Sequence, residues 1–309
     1  MSILIVGSVA LDSVKTPHGE AKEILGGAAV YSSYSASFFS PVRLVGVVGK
    51  DFPPRYLTLL RKKGVNLEGL EVEEGKTFRW KGFYNHNLGC AHTLDTQLNV
   101  FASFHPQIPP KYKKSKYLFL ANIDPKLQLE VLEQVEKPEL TIADTMNYWI
   151  KNSLKALLKV FKKVDLALLN EEEAKQLFKA TSSRSKESDY PISKVAKKIL
   201  SLGPQRVIIK KGEHGSLMFT NKSVFSAPAF PIKKIIDPTG AGDSFAGGLI
   251  GYLSKASDPG EENLRKGIIY GSLLASFNLE DFSLNRLKRL KLKEIRERYK
   301  EMKRMVTFG

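Results

Sequence analysis

The stretch Asp237-Pro-Thr-Gly-Ala-Gly-Asp-Ser-Phe-Ala-Gly-Gly248 decides the fold of this 309-residue chain. An extended apolar run ends at Ile236 directly before it, and apolar residues recur at helical spacing after it. The pattern predicts a glycine-rich turn between an extended segment and a helix. Strand-like and helix-like segments also alternate along most of the remaining sequence. This alternation predicts an α/β fold, with a mostly parallel sheet covered by helices on both faces.

The turn itself predicts an anion site. The N–H groups at the start of a helix lack intrahelical partners and lie at the positive end of the helix dipole, so they attract phosphate-like anions. Asp243 is a carboxylate where anions bind, so it is either a helix cap or a general base beside a reacting phosphate. The residues of the predicted anion hole are Gly240, Ala241, Gly242 and Asp243.

Composition indicates a folded protein outside the membrane. The apolar fraction of 42% is enough for a full core, and no apolar run is long enough to span a bilayer. The first residues form a strand pattern without a basic leader, so a secretory signal is not expected. The single cysteine, Cys90, allows no internal disulfide and indicates a reducing compartment. We therefore expect a cytoplasmic protein with no membrane partner.

The net charge of +16 is typical of proteins that bind nucleic acid. The basic residues are spread along the chain, however, and no nucleic-acid-binding motif is present. Residues 284–303 combine a dense basic run with apolar residues at helical spacing, which predicts one terminal amphipathic helix with a solvated basic face. A nucleic-acid partner is therefore not expected, whereas the positive field would favour capture of phosphorylated small molecules.

Residues 70–104 depart from the strand–helix alternation. Phe78, Trp80, Gly82 and Tyr84 occupy every second position, which is the period of a strand. Together with residues 13–22, this segment predicts a small antiparallel sheet, inserted approximately at residues 11–24 and 67–106. An ordinary surface hairpin is the alternative.

Residues 237–248 and the order of the other motifs resemble the ribokinase-like (PfkB) carbohydrate kinase family, over nearly the whole chain. The resemblance implies one three-layer α/β domain across residues 1–309. It also implies that the small antiparallel sheet is a lid over the active site, and such a lid often forms the contact of a homodimer. Members of this family use ATP and Mg²⁺ to phosphorylate a hydroxyl group.

The same resemblance implies the acceptor site. Asp12 would accept hydrogen bonds from acceptor hydroxyls, although a turn or cap is the alternative role for this residue. Gly26 and Gly27 resemble the double-glycine motif at which the lid hinges and the backbone touches the sugar. Tyr31 occupies a position where sugar kinases carry an asparagine, and Asp243 would take the proton of the acceptor hydroxyl.

The resemblance also implies nucleotide and metal sites. Asn170-Glu-Glu-Glu173 resembles the Asn-x-x-Glu motif, whose first and last residues organise Mg²⁺ partly through water; a helix-start carboxylate is the alternative. Lys210-Lys-Gly-Glu-His-Gly215 resembles the strand–turn segment that borders the nucleotide, with a simple hairpin turn as the alternative. A monovalent cation such as K⁺ would lie at Asp237. The nucleotide-binding residues implied are Asn170, Lys210, Gly212, Gly215, Thr239, Gly240 and Gly242.

Departures from the ribokinase pattern affect the acceptor. Ala10 and Ala28 stand where ribokinases carry polar residues, as does Tyr31, so a site for free ribose would lose its hydrogen bonds. Residues 275–283 replace a glycine-containing adenine loop. Sugars, other polyols and nucleosides all remain open as acceptors.

These observations predict an ATP-dependent kinase that transfers the γ-phosphate to a sugar or sugar-like polyol, with Asp243 as general base. A nucleoside kinase of the same fold is the first alternative, and a non-catalytic nucleotide-binding regulator is the second. No Gly-x-x-x-x-Gly-Lys-[Ser/Thr] motif is present, so a P-loop kinase is excluded.

Overall fold

The computed structural model describes residues 2–86, 88–89, 91–182 and 190–307, and Cys90 lies outside these ranges. Its strands are β1 (Ile3–Val6), β2 (Ala10–Thr16), β3 (Gly19–Gly26), β4 (Val42–Gly49), β5 (Val65–Glu73), β6 (Phe78–Tyr84), β7 (Ala91–Gln97), β8 (Tyr117–Leu120), β9 (Leu140–Asp144), β10 (Leu166–Asn170), β11 (Arg206–Lys210), β12 (Ser216–Phe219) and β13 (Val224–Ala227).

Helices occupy most of the connections between strands. They are α1 (Ala28–Ala36), α2 (Pro54–Lys62), α3 (Pro110–Lys113), α4 (Pro125–Gln134), α5 (Asn147–Asn152), α6 (Leu154–Phe161), α7 (Glu171–Thr181), α8 (Ile192–Leu200), α9 (Ala241–Ala256), α10 (Glu261–Asn278), α11 (Asn285–Arg289) and α12 (Leu292–Val306). No helix in the described ranges has the length and apolar character needed to cross a membrane.

The large sheet has the strand order β13-β12-β11-β10-β9-β8-β1-β4-β5. Its strands from β11 to β5 run parallel, and β12 and β13 extend the β11 edge as antiparallel strands. Side chains on β1 alternate between two cores, with Ile3 and Ile5 in one and Leu4 and Val6 in the other. One core contains residues of α1, α9 and α10, and the other contains residues of α4, α6, α7 and α8. The predicted three-layer ribokinase-like fold is thereby confirmed.

The small sheet has the order β3-β2-β6-β7. It consists of two antiparallel hairpins, β2–β3 and β6–β7, which join through parallel pairing of β2 with β6. The boundary predicted at residue 67 is wrong, because β5 pairs with β4 in the large sheet. Val65, Leu67 and Gly69 of β5 are buried while the residues between them are exposed. This edge strand of the large sheet therefore alternates between buried and exposed residues, as a strand of the small sheet would. For that reason the sequence pattern alone assigned its residues to the small sheet.

Contacts from the small sheet reach the loops that flank α9 and α10. The Thr16 hydroxyl donates to the Ile236 carbonyl at 2.9 Å, directly before the glycine-rich turn. The Ser283 hydroxyl, in the segment after α10, donates to the Leu25 carbonyl of β3. The small sheet thus lies at the edge of the large sheet where β1, β9, β10 and β11 end, which is where open parallel sheets bind ligands.

Candidate active site

The glycine-rich turn leads into α9 as predicted. Gly240 precedes the helix with a φ of +75°, a left-handed conformation that glycine adopts without strain. A Cβ atom at this position would lie 2.5 Å from the ring of Tyr31. Both the backbone and the space therefore require glycine here. The N–H groups at the start of α9 are available to an anion, as at any helix amino terminus.

Asp243 lies in the first turn of α9 and keeps part of its surface accessible. Burial raises the pKa of Asp243 to about 7; the carboxylate of Asp144 adds to this rise and the ammonium group of Lys210 opposes it. The carboxylate is therefore a base poised near neutral pH, which is the range that suits general-base catalysis.

Asp12 lies on β2 and is only 5% exposed. A Cβ atom on Gly26 would lie 1.9 Å from its Oδ2 atom, so this carboxylate packs directly against the backbone of the double-glycine motif. The pKa of Asp12 is raised to about 7, chiefly by burial and then by the charges of Asp237 and Asp243, while a backbone hydrogen bond from Gly27 opposes the rise. Asp12, the predicted acceptor-binding carboxylate, therefore interacts electrostatically with Asp243, the predicted general base.

Gly27 has a φ of +96°, and a Cβ atom there would lie 2.4 Å from the Ser8 carbonyl oxygen. The hydroxyl of Ser8 accepts the N–H of Ala28 at 3.1 Å, which fixes the start of α1 beside β2. The double-glycine motif therefore allows close approach of two backbone segments around Asp12.

Tyr31 on α1 is 1% exposed, with its ring beneath Gly240. Its buried hydroxyl has no hydrogen-bond partner among the described residues. Burial raises the pKa of Tyr31 well above its ordinary value, and the charges of Asp12, Asp237 and Asp243 raise it further. The ring lies against the glycine-rich turn at residues 237–242, which we call the anion turn. The hydroxyl interacts electrostatically with the carboxylates of the site.

Aromatic side chains of β6 differ in their surroundings. Trp80 pairs with Asp12 in the β2–β6 register, so the two side chains share one face of the small sheet. The indole of Trp80 covers Gly82, because a Cβ atom on Gly82 would lie 2.4 Å from it. Phe78 instead stacks on Phe101 with ring centroids 5.4 Å apart. Trp80 thus presents a flat surface on the same face as Asp12, whereas Phe78 has a packing role.

Tyr84 connects the small sheet to the anion turn. The hydroxyl of Thr239, just before Gly240, donates to the hydroxyl oxygen of Tyr84 at 3.3 Å. Sequence reasoning named both residues but gave no reason to pair them, since they lie 155 positions apart.

Asn170 and Glu173 form a reciprocal cap at the start of α7. The Glu173 N–H donates to Asn170 Oδ1 at 2.8 Å, and the Asn170 N–H donates to Glu173 Oε2 at 2.7 Å. Burial raises the pKa of Glu173 to about 7, Lys210 opposes this rise and Asp144 adds to it. Glu173 is thus both a cap and a carboxylate that interacts electrostatically with Asp144 and Lys210.

Lys210 ends β11 and forms a buried ion pair that the sequence did not reveal. Its Nζ atom lies 3.2 Å from Asp144 Oδ2 and 3.4 Å from Asp144 Oδ1. The same Nζ atom lies 3.3 Å from the position that a Cβ atom on Gly242 would take, so Lys210 reaches the start of α9. The available signal for Asp144 was a carboxylate at the carboxyl end of a predicted parallel strand.

Asp237 is fully buried before the turn. Its carboxylate accepts the Thr239 N–H at 2.9 Å and the Ser283 N–H at 3.4 Å, and burial raises its pKa. The side-chain amide of Asn278, within the segment that replaces the adenine loop, donates to the Thr239 carbonyl at 2.8 Å. Residues 278–283 therefore buttress the anion turn.

Gly212 and Gly215 flank a short 3₁₀ turn after β11. Gly212 is exposed, with open space around the position of a Cβ atom, whereas a Cβ atom on Gly215 would lie 2.1 Å from the Ala227 carbonyl oxygen. Gly215 is therefore required by the packing of β13, and its predicted role in nucleotide binding stays a prediction.

The site thus brings together the following predicted residues around α9: Asp12, Gly26, Gly27, Tyr31, Asn170, Glu173, Lys210, Asp237, Thr239 and residues 240–243. Within the described ranges, no group of three or more His, Cys, Asp or Glu residues could hold a metal ion alone. A metal at Asn170 and Glu173 would therefore need further ligands from phosphate or water.

Comparisons with known proteins agree with this architecture. The chain is 28% identical over 274 residues to a cytidine kinase of Thermococcus kodakarensis, with 87% of this chain and 94% of that protein covered. It is 24% identical over 298 residues to a nucleoside kinase of Methanocaldococcus jannaschii, with 90% of each covered. The structure of a Burkholderia thailandensis nucleoside kinase with inosine matches with a TM-score of 0.75 at 19% identity, covering 97% of this chain and 98% of that chain.

The sequence profile of the pfkB family carbohydrate kinases matches residues 4–287, which is most of the chain. Together with the fold and the arrangement around α9, this match shows that the chain belongs to the pfkB family and is an ATP-using phosphotransferase that acts on an alcohol group of a sugar or nucleoside.

Proposed function

We propose that this protein is an ATP-dependent nucleoside kinase with Asp243 as general base. The observation that carries the choice of nucleoside is the indole of Trp80, which shares one face of the small sheet with Asp12. An aromatic plane beside a hydroxyl-binding carboxylate suits an acceptor with both a flat base and a sugar. Ala10 and Ala28 offer no side-chain hydrogen bonds to a free sugar. The names of the cytidine and nucleoside kinase relatives support the same choice.

In the proposed reaction, Asp12 holds the acceptor and Asp243 faces the reacting hydroxyl. As the hydroxyl oxygen bonds to the γ-phosphorus of ATP, its proton passes to the Asp243 carboxylate, and the bond from phosphorus to the ADP oxygen breaks. The N–H groups at residues 240–243 stabilise charge on the transferred group. Closure of the small sheet excludes water, which limits hydrolysis of ATP.

A screen of ATP consumption tests this function. Nucleosides, pentoses, hexoses and inositols are supplied at equal concentration, and product formation is confirmed by mass spectrometry. We expect turnover with at least one nucleoside and weak or absent turnover with free ribose. Efficient phosphorylation of a free sugar or inositol, without turnover of any nucleoside, would overturn the choice of acceptor and restore the sugar or polyol alternative.

Mg²⁺ is the proposed metal, and Asn170 and Glu173 would organise it partly through water. Oxygen ligands suit this hard cation, which is commonly bound through few protein ligands together with phosphates and water. Bound there, it would neutralise charge on the phosphates. The buried carboxylate of Glu173, only 8% exposed and close enough to interact with Lys210, supports the assignment.

Glu173→Gln is expected to raise the Mg²⁺ concentration for half-maximal activity by about tenfold, on the order of one lost charge-assisted interaction. Glutamine keeps an oxygen that can accept the Asn170 N–H, so the cap on α7 should persist. The measurement is an Mg²⁺ titration of turnover at saturating acceptor. Glu172→Gln, at an exposed neighbouring position, is the matched control. An unchanged titration for Glu173→Gln would leave Glu173 with the capping role alone.

The Tyr31 hydroxyl is proposed to contact the acceptor. A buried hydroxyl without a partner is unfavourable, and such groups are often satisfied by ligands at functional sites. Tyr31→Phe keeps the ring beneath Gly240 and removes only the hydroxyl. We expect the acceptor KM to rise several-fold, by about the value of one neutral hydrogen bond, with an unchanged or higher Tm. An unchanged acceptor KM together with a higher Tm would assign Tyr31 to packing only.

A monovalent cation such as K⁺ is proposed at Asp237. The fully buried carboxylate lacks a basic partner among the described residues, and the buried Oδ1 of Asn278 has no hydrogen-bond partner there. These oxygens fit a cation, since buried charges are normally paired or coordinated. A comparison of Tm in potassium chloride and in choline chloride tests this assignment, and equal values would remove it.

A homodimer through the small sheet is also proposed. β7 is an exposed edge strand, and its Leu94 is 59% exposed. Edge strands with exposed apolar residues readily pair with a second chain. Sedimentation of the purified protein at micromolar concentration as a monomer would contradict this proposal.

A further inference from the structure

The ion pair of Lys210 with Asp144 spans three strands of the large sheet. β10 lies between β9 and β11, with Leu168 opposite Asp144 and Asn170 opposite Lys210. Neighbouring strands are about 4.8 Å apart, so β9, which carries Asp144, and β11, which carries Lys210, are separated by roughly twice that distance. The long lysine side chain therefore crosses β10 to meet a carboxylate that ends the strand beyond it.

The ammonium group of Lys210 is held where the proposed phosphoryl transfer takes place. Burial alone would lower the pKa of Lys210, but the carboxylates of Asp144, Glu173 and Asp243 raise it above its ordinary value. The lysine is therefore charged. Its Nζ atom also lies 3.3 Å from the position of a Cβ atom on Gly242, within the anion turn. One cation thus lies beside the first turn of α9 and the catalytic carboxylate.

Fold stability alone gives little reason for this arrangement. The side chains are 17% and 5% exposed for Lys210 and Asp144, and a buried ion pair is often no more stable than apolar residues of the same size. The carboxyl groups of Asp144, Glu173 and Asp243 all interact electrostatically with the single ammonium group, and Asp144 contacts it directly at 3.2 Å. A polyphosphate entering such a site needs cationic groups to offset both its own charge and that of the carboxylates.

The neighbouring residue, Lys211, provides an internal comparison for Lys210. Lys211 is the next residue along the chain, but its Nζ atom pairs with Glu171 Oε2 at 3.6 Å. It therefore points away from Asp144 and the start of α9. The chain offers two adjacent lysines of the same chemistry, of which one lies at the anion turn and the other does not.

We infer that Lys210 binds the transferred phosphoryl group of ATP, and that Asp144 is the positioning residue that holds Lys210 against the anion turn. This inference rests on the use of ATP in the proposed function, but not on the identity of the acceptor. Asp144 touches neither nucleotide nor acceptor in this arrangement. It acts by fixing the lysine in one rotamer before the nucleotide binds, which reduces the entropy lost on binding.

Calorimetry with two nucleotides tests the inference without an acceptor. The probes are ADP and a non-hydrolysable ATP analogue with a nitrogen bridge to the γ-phosphate, both at the same free Mg²⁺ concentration. The proteins are the unmodified chain, Lys210→Met, Lys210→Arg, Asp144→Asn, the double variant, and Lys211→Met as matched control. The ratio of the two Kd values isolates contacts with the γ-phosphate from those with the rest of the nucleotide.

Lys210→Met is expected to reduce the preference for the triphosphate by about tenfold or more, the size of one charge-assisted hydrogen bond. Asp144→Asn should reduce it by a smaller factor, and should have no further effect in the Lys210→Met background. Lys210→Arg should restore part of the preference, and Lys211→Met should leave it unchanged. Thermal melting of each variant identifies any that fail to fold, and Lys210→Gln replaces Lys210→Met in that event.

Two results would overturn the inference. An unchanged preference in folded Lys210→Met or Lys210→Gln would place the lysine away from the γ-phosphate. An equal effect of Asp144→Asn with and without Lys210 would show that Asp144 does not act through the lysine. Failure to phosphorylate any nucleoside would instead contradict the proposed acceptor, because the calorimetric ratio involves only the nucleotide.

Discussion

Asp243→Asn is expected to lower kcat by at least about 10², a loss typical of a removed general base. Asparagine has the same shape, and the N-cap residue of α9 is Gly240 without a side-chain capping bond, so folding and affinity for ATP should change little. The measurements are steady-state kinetics, Tm and the Kd for ADP. Asp258→Asn, an exposed carboxylate beyond the other end of α9, is the matched control. Turnover within a few-fold of the unmodified enzyme would contradict the proposed mechanism.

The pH dependence gives an independent check on the same carboxylate. Because the pKa of Asp243 is raised to about 7, the carboxylate is largely protonated below that pH and cannot accept a proton. The value of kcat/KM should therefore rise with pH through neutrality and level off above it. The pKa values of Asp12 and Glu173 are also raised to about 7, so the acid limb belongs to several carboxylates of the site and should be steeper than expected for one proton.

Asp12→Asn is expected to lower kcat/KM for the acceptor by about 10², since a site built to bind a hydroxyl loses much when its own partner group is removed. The amide would place a donor where the acceptor hydroxyl needs a strong acceptor of its hydrogen bond. KM for ATP should stay nearly constant. The acid limb should become less steep than in the unmodified enzyme, because Asp12 no longer contributes a titrating carboxylate.

The control for Asp12→Asn is Asp95→Asn, which alters a carboxylate on the exposed strand β7 of the same small sheet. Equal loss in both variants would indicate general damage to the sheet. An unchanged acceptor KM in Asp12→Asn, with the protein folded, would leave Asp12 with the turn or cap role considered from the sequence.

The parallel core was predictable from sequence because its signals are local. Strands buried on both faces are short apolar runs, and β4, β8, β9 and β10 are each followed by a residue pattern that starts a helix. The terminal helix predicted over residues 284–303 was only partly right, since the structure divides it into α11 and α12. The N–H of Lys291 donates to Glu294 Oε2 at 2.9 Å, which starts a new helix after Leu290. Lys291 and Glu294 are three positions apart, which is also the spacing of two neighbouring side chains on the surface of a continuous helix. Sequence periodicity therefore does not reveal that a new helix starts here.

The site was predictable where a motif is contiguous and not where it depends on distant strands. The turn before α9 and the Asn170–Glu173 spacing are each contained in a few residues. Asp144 gave no such signal, because its partner Lys210 lies 66 positions later and meets it only after β9, β10 and β11 align. Asn278 and Tyr84 were missed as supports of the turn for the same reason, since sequence spacing does not report which loops meet at a sheet edge.

The placement of these groups along the chain has a consequence for how specificity can change. Asp12, Tyr31 and Trp80 lie in the first third of the sequence, whereas Asp144, Glu173 and Lys210 lie in the middle third or just beyond it. Substitutions at Asp12 and Trp80 can therefore alter which alcohol is recognised without changing Asp144, Glu173 or Lys210, whereas the ring of Tyr31 must be kept because it lies against Gly240. Exchange of β2, β6 and their turns between relatives would be the corresponding engineering route. The hydrogen bond from Thr239 to Tyr84 is where such a grafted segment must still match the recipient.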